Sequence, residues 1–275
     1  MARLAITKCQ GTGNDFVLLD DRAKGGRYAY AALATALCDR RFGVGADGLL
    51  VLAPASAPGA DVAMRIFNAD GSEAEMCGNG IRCVARYLHE RGAGAPRRLG
   101  VETSSGIMRT DVVAGAEGFR VRVEMNVPEK IVVHAEDGSV DVVMGNPHCV
   151  AFVDTDPDDV DLRSVAARIA SAERFSDGVN VEVARASRGS IAMRVYERGV
   201  GETSACGTGA CAVAAAAIVT GRATTPVRIA MRGGDVDVDW AGPGRPAYLT
   251  GGAEIVFDAE VPLPDAIAAP VAPVM

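Results

Sequence analysis

Apolar positions along this chain follow two periods. Alternating or β-branched apolar runs at Phe16–Leu19, Leu49–Leu52, Phe119–Met125, Val140–Met144, Cys149–Val153, Ile191–Tyr196 and Val236–Trp240 predict strands. Helical spacing predicts helices over about Ala29–Arg41, Gly80–Glu90, Asp161–Ala172 and Gly209–Thr220, the last closed by Gly221 as a C-terminal cap. Ala210–Val219 is apolar on every face, so this helix is expected to be enclosed by sheet or other helices. The Pro- and Ala-rich stretch Val261–Met275 is expected to form a tail.

The pattern repeats. Cys77-Gly78-Asn79-Gly80-Ile81-Arg82-Cys83-Val84-Ala85 is echoed by Cys206-Gly207-Thr208-Gly209-Ala210-Cys211-Ala212-Val213-Ala214. Upstream, Gly13-Asn14-Asp15-Phe16-Val17 is echoed by Gly145-Asn146-Pro147-His148-Cys149-Val150 at nearly the same spacing. Two echoes in one order indicate a tandem duplication with its boundary near residues 115 to 130. Each half then reads as a curved sheet around a helix that starts at its C-G-x-G.

Composition narrows the function classes. With 28 Lys+Arg against 35 Asp+Glu the formal net charge is -7 and no long basic run occurs, so nucleic acid is disfavoured as a partner and a small substrate fits better. No apolar run reaches the roughly 18 to 20 residues of a membrane span, and MARLAITKCQ lacks a signal-peptide core, so a cytoplasmic protein without membrane attachment is expected. The 7 cysteines include no C-x-x-C pair, which argues against a disulfide framework. Three histidines, His89, His134 and His148, with no H-E-x-x-H give little basis for a zinc site.

A cysteine before Gly-x-Gly at a helix start has its own logic. The glycines let backbone N–H groups approach a ligand, and the partial positive charge of the helix N-terminus favours a thiolate or a bound carboxylate, so a lowered thiol pKa is expected there. A lone cysteine is ordinarily a small buried apolar side chain, but two in repeated contexts point to chemistry. Inversion at a tetrahedral carbon needs a base on one face and an acid on the other, and a duplicated module supplies two thiols. With no electron-sink cofactor expected, donors around the substrate carboxylate would have to stabilise the carbanion, and Gly78, Asn79, Gly207 and Thr208 stand at the two helix starts to do so. Asn68 and Glu197 precede the two cysteines at the same offset and are expected to border the same site, although singly each reads as a turn residue or a surface ion-pair member. Gly43-Val44-Gly45-Ala46-Asp47-Gly48 fits G-x-G-x-x-G, but it follows a helix and precedes a strand, the reverse of a dinucleotide site, and is read as a connecting loop.

The run from Phe67 to Cys83, containing Asn68-Ala69-Asp70-Gly71 and Cys77-Gly78-Asn79-Gly80, resembles the first signature of the diaminopimelate epimerase family. Gly11-Thr12-Gly13-Asn14-Asp15-Phe16, Gly145-Asn146-Pro147-His148, Val179-Asn180, Tyr196-Glu197-Arg198-Gly199-Val200-Gly201-Glu202-Thr203 and Cys206-Gly207-Thr208-Gly209 extend the likeness over about residues 3 to 258. The resemblance implies an α/β (α+β) fold of two pseudosymmetric halves, each a barrel-like β-sheet around a central helix, with the active site in the cleft between them. The halves are read as residues 1–122 and 123–261, with about 262–275 candidates to return to the first. It also implies cofactor-independent, reversible conversion of LL-2,6-diaminopimelate to the meso isomer, a step of lysine and peptidoglycan-precursor synthesis.

By position, the resemblance makes Cys77 and Cys206 the acid/base pair. It assigns substrate binding to Asn14, Asn68, Gly78, Asn79, Asn146, Asn180, Glu197, Arg198, Gly207 and Thr208, and tuning of the thiols to His148 and Glu197. Arg198 is the natural partner of a distal carboxylate. Family members are often homodimers, and the sequence marks no interface. Gly48 stands where some members carry a substrate-binding Gln, Phe175-Ser176-Asp177-Gly178 lacks the Pro and Arg usual before Val179-Asn180, and Gly251-Gly252 replaces Gly-Pro. A proline racemase-like enzyme would usually show His in place of Asn79. A Cys206/His148 hydrolase would leave the duplicated Cys77 without a purpose. A binding protein on the same scaffold would not need both cysteines.

Overall fold

A computed structural model describes residues 3–23, 26, 28–74, 76–91, 97–115 and 118–263. Packing divides the described chain into two compact units, one of residues 3–123 with 252–263 and the other of residues 124–251. The expected tail lies outside the described residues from 264 onward.

The first unit runs β1 (Arg3–Gly11), β2 (Asn14–Asp20), α1 (Tyr30–Cys38), β3 (Gly48–Ala53), β4 (Val62–Asn68), β5 (Glu73–Ala74), α2 (Gly78–Arg91), β6 (Arg98–Thr103), β7 (Gly106–Gly115) and β8 (Gly118–Glu124). Strand β1 pairs antiparallel with β2, β2 parallel with β3, and β3 antiparallel with β4. The sheet continues through β6, parallel to β4, to β7 and β8 by antiparallel pairing. The chain's last strand, Glu254–Pro262, returns to pair antiparallel with β1, from Arg3 opposite Pro262 to Gln10 opposite Glu254. The sequence reading ran the second half on to about residue 261. The long pairing with β1 instead draws the closing strand into the first unit.

The second unit runs β9 (Glu129–Val133), β10 (Val140–Val143), β11 (Pro147–Phe152), α3 (Leu162–Ala170), β12 (Asn180–Ser187), β13 (Ser190–Glu197), β14 (Gly201–Thr203), α4 (Gly207–Val219), β15 (Val227–Met231), β16 (Gly234–Trp240) and β17 (Ala247–Gly252). The last strand of the first unit is β18. The pairing scheme repeats that of the first unit: β10 antiparallel to β11, β11 parallel to β12, β12 antiparallel to β13, β13 parallel to β15, then β15, β16 and β17 in antiparallel order. Strand β9 pairs with β10 as β18 pairs with β1.

Each sheet wraps its central helix. Helix α2 packs on β1, β2, β4, β7 and β18, and α4 packs on β10, β11, β12, β15 and β16. The uniformly apolar sequence of α4 has its predicted consequence: Gly209 through Ala217 are all buried. Burying its Val213 contributes about 1.5–3 kcal/mol from removal of apolar surface alone. Helices α1 and α3 lie on β2, β3 and β4 and on β12, β13 and β14, respectively. The segment Gly43–Asp47 is a loop entering β3, as its sequence context required.

Candidate active site

In the first unit the mouth of α2 is assembled by a tight hairpin. Strands β1 and β2 pair up to Gly11 opposite Asn14, leaving Thr12 and Gly13 as the loop, with φ 52 and 75 respectively. Positive φ at both positions matches the twist of the flanking strands, but it is strained for a β-branched residue such as Thr12. The strain is held in place by contacts. Arg82 Nη2 donates to Thr12 Oγ1 at 2.8 Å, and that oxygen lies 3.4 Å from Asn79 Oδ1.

The hairpin thereby sets Asn14 beside Cys77. Asn14 Oδ1 lies 3.7 Å from Cys77 Sγ and accepts from Asn79 Nδ2 at 3.3 Å, while its own Nδ2 donates to Asp47 at 2.6 Å. Asp47 shares Arg40 with Asp15, and Lys8 closes the cluster on Asp15. Burial works to raise the Asp15 carboxyl, but Arg40 and Lys8 hold it down at about 2. Cys77 Sγ also accepts from Gly80 N at 3.5 Å, so the sulfur satisfies one of the N–H groups left open at a helix start. Asn68, at the end of β4, is exposed and donates from Nδ2 to Ser72 Oγ at 2.9 Å. Gly48 pairs with Asn68, and a Cβ there would approach Phe67 O to 2.8 Å, so this backbone leaves no room for a side chain at that position.

The second unit repeats the plan with different groups. Cys206 is the N-cap of α4, its Sγ accepting from Gly209 N at 3.4 Å and lying 3.4 Å from Thr208 Oγ1. Glu197, at the end of β13, accepts from Thr203, and burial raises its carboxyl above the usual range against the opposing effect of the Thr203 hydroxyl. Asn180 Oδ1 receives the Arg198 backbone N–H at 2.9 Å, and its Nδ2 donates to Pro147 O at 3.2 Å. The Arg198 guanidinium is exposed and donates to Asp177 O at 2.8 Å. Gly178 allows this, since a Cβ there would meet Arg198 Cδ at 2.6 Å. His148 bridges Glu182 Oε1, 2.7 Å from Nδ1, and Asn146 Oδ1, 3.0 Å from Nε2.

The expectation of a lowered thiol pKa fails at Cys206. Burial, reinforced by the Glu197 and Glu182 carboxylates, pushes this thiol well above its ordinary value. The Gly209 N–H and the Thr208 hydroxyl act the other way and are outweighed. A helix N-terminus offers partial charge at the edge of solvent, and a wholly desolvated thiol beside two carboxylates loses more than that gain.

Thus Asn14, Asn79 and Cys77 gather at one helix mouth. Asn146, His148, Glu197, Thr208 and Cys206 form or border the other, with Asn180 and Arg198 joined alongside. Sequence reasoning passed over Glu182, Arg82, Thr12 and Asp47. A signal existed for two of them: Glu182 is the one charged residue in Val179-Asn180-Val181-Glu182-Val183, and Arg82 interrupts the apolar face of α2. Among the described residues no cluster of three or more His, Cys, Asp or Glu is placed to hold a metal ion, and no helix is long and apolar enough to cross a membrane.

A sequence model described as diaminopimelate epimerase matches residues 6–131 and again 140–256. The diaminopimelate epimerase of Desulforudis audaxviator is 42% identical, over 93% of this chain and 98% of its own length. That of Pelotomaculum thermopropionicum is 43% identical, over 94% of this chain and 98% of its own. Among solved structures, a phenazine biosynthesis protein from Bacillus anthracis superposes with a TM-score of 0.74 at 16% identity, covering 96% of this chain and 100% of the other, a likeness of fold alone. With cysteine motifs, paired sheet-wrapped helices and whole-length sequence relatives in agreement, the chain belongs to the diaminopimelate epimerase family.

Proposed function

We propose that this protein is an isomerase that interconverts LL- and meso-2,6-diaminopimelate without a cofactor, in lysine biosynthesis by the diaminopimelate route. One thiolate of the pair Cys77 and Cys206 removes the α-proton from one face, and the other residue, as a thiol, delivers a proton to the opposite face. The C–H bond broken on one side is replaced by one formed on the other, and the two sulfurs exchange protonation states in each turnover. The single observation that carries this reading is the repetition of one local arrangement: a cysteine sulfur at each central helix start, accepting the N–H of Gly80 at 3.5 Å or of Gly209 at 3.4 Å.

Backbone N–H groups at Gly78-Asn79 and Gly207-Thr208 receive the reacting carboxylate and stabilise the carbanion as charge develops. Asn14, Asn68, Asn146, Asn180 and Glu197 hold the polar ends of the substrate, and Arg198, whose exposed guanidinium donates to the Asp177 carbonyl, pairs with the distal carboxylate. His148 and Glu197 set the protonation of Cys206. We place the activity in the cytoplasm, a reading supported by 7 cysteines with no disulfide among them.

The test is isotope wash-in. Purified protein in deuterated water, with no added cofactor, should place deuterium at the α-carbon of diaminopimelate while interconverting the isomers, and absence of exchange would falsify the assignment. Replacing Cys77 or Cys206 by Ala should abolish epimerisation in each case. Near-normal turnover by either variant would remove that residue from the mechanism.

A further inference from the structure

One ion pair stands at the same place in both halves. Arg65 of β4 grips Glu73 of β5 with two parallel bonds, Nε to Oε1 and Nη2 to Oε2, each 2.7 Å long. Arg194 of β13 grips Glu202 of β14 through the same atoms, at 2.8 and 3.0 Å. In each copy the arginine lies twelve residues before the cysteine and the glutamate four before it. Phe67 is opposite Glu73 and Tyr196 opposite Glu202, so each arginine, two residues earlier on its strand, shares a face with its glutamate.

An exposed ion pair ordinarily adds little to stability. These two are planar forks, and each ties down a strand too short to hold its own register by backbone bonds: β5 has 2 residues and β14 has 3. Both strands are the last element before a cysteine. The wider surroundings differ while the fork is kept. Arg65 lies over the rings of Tyr30 and Phe67, whereas the Arg194 side chain is only 11% exposed and gives its remaining bonds to Pro157 O at 2.6 Å and Val160 O at 2.9 Å.

In the second half the consequence for the site can be followed bond by bond. Arg232, in the turn between β15 and β16, adds a second cation to Glu202 at 2.7 Å, and the next residue, Gly233, donates its N–H to Ser204 O at 2.8 Å. Glu202 and Ser204 are thus pinned, and Thr203 between them faces the other way and donates to Glu197 Oε1 at 2.5 Å. The Glu197 carboxylate in turn acts on the Cys206 thiol.

We propose that Arg65–Glu73 and Arg194–Glu202 are positioning pairs, one in each half, which fix the short strand before each cysteine and, in the second half, keep Thr203 on Glu197. The proposal rests on the two-base reading above, in which each sulfur must be held still while it exchanges a proton.

The test is a set of coupled substitutions, with epimerisation followed by deuterium wash-in. Glu202→Gln and Glu73→Gln should each lower kcat about tenfold, with KM within about twofold and the melting temperature nearly unchanged. Arg194→Lys, which keeps the charge and loses the fork, should lose as much as Glu202→Gln. If Glu202 acts through Thr203, Glu202→Gln should cost nothing further in a Thr203→Val background and its full factor in a Thr203→Ser background, which retains the hydroxyl. Losses that multiply in the Thr203→Val background, a KM effect alone, or full activity in Arg194→Lys overturn the proposal. Should Glu202→Gln not fold, Arg232→Gln, which leaves the fork intact, should show the same dependence on Thr203 with a loss of about threefold, and independence from Thr203 overturns the proposal. Amide hydrogen exchange of Thr203–Cys206, read by mass spectrometry without substrate, separates the two readings: it should be about tenfold faster in Glu202→Gln than in the native protein. Faster exchange with no wash-in by the native protein would sink the functional reading and leave the positioning pairs standing, and unchanged exchange overturns them.

Discussion

Nδ1 of His148 lies 2.7 Å from Oε1 of Glu182, both side chains are wholly buried, and the other Glu182 oxygen has no hydrogen-bond partner. The carboxylate therefore fixes the imidazole so that Nε2 faces Asn146, and it does so from a wholly buried position within β12. Glu182→Gln should lower kcat about ten- to hundredfold with KM nearly unchanged, the scale of one hydrogen bond to a charged group. Steady-state kinetics checks this, and a rise in KM alone would show that Glu182 acts on binding instead.

The same carboxylate explains a glycine. A Cβ on Gly209 would come within 2.7 Å of Glu182 Oε1, whereas one on the equivalent Gly80 would meet only the end of the Leu50 side chain at 2.9 Å. Gly80→Ala should thus cost less than about 1 kcal/mol and Gly209→Ala about 1–3 kcal/mol, with the larger loss of activity. Urea unfolding of the two variants, measured side by side, should show this difference, and equal losses would contradict it.

Thr12 carries strain for the sake of position. Thr12→Asn, which tolerates a positive φ, should hold or raise the melting temperature while lowering kcat, because the hydroxyl between Arg82 and Asn79 is lost. Calorimetry with kinetics on one preparation tests the pairing of effects. A drop in both would mean that the hydroxyl is needed for folding.

Alkaline pH should weaken the fold. Burial, with Asp141 nearby, pushes Cys149 up to about 12, and burial alone does the same for Cys211. In the unfolded chain both ionise near about 8.5, so the folded form holds protons that the unfolded form releases. This stabilisation is fully present below about pH 8.5 and falls by about 1.4 kcal/mol per pH unit per thiol above it. Urea midpoints between pH 8 and 10 should decline, less steeply in Cys211→Ala. A flat profile would show that these thiols keep ordinary acidity.

The helices and the two cysteine positions were legible because α2 and α4 have strong periodic or apolar signals and distinctive starts. Several strands were not. In β18 most side chains between Glu254 and Pro262 are exposed or half-exposed on both faces, so no alternation marks it, and only pairing with β1 reveals where it belongs. Strand β1 hides its period because Thr7 and Lys8 are buried among its apolar residues. The lowered pKa expected for a thiol at a helix start failed at Cys206 because the sequence shows neither how completely that thiol is buried nor that the Glu197 and Glu182 carboxylates act on it. A buried charge is set by what surrounds it, and those neighbours come from distant parts of the chain.

Arg82 and Cys211 occupy the same place in the two copies of one module. In an ancestor assembled from two separate identical chains, any charge placed beside one sulfur would have appeared beside the other, and the pair would have been electrically indistinguishable. Two copies carried in a single chain are free of that constraint. Each can differ alone, so Arg82 stands in one copy where the neutral Cys211 stands in the other, on one backbone plan.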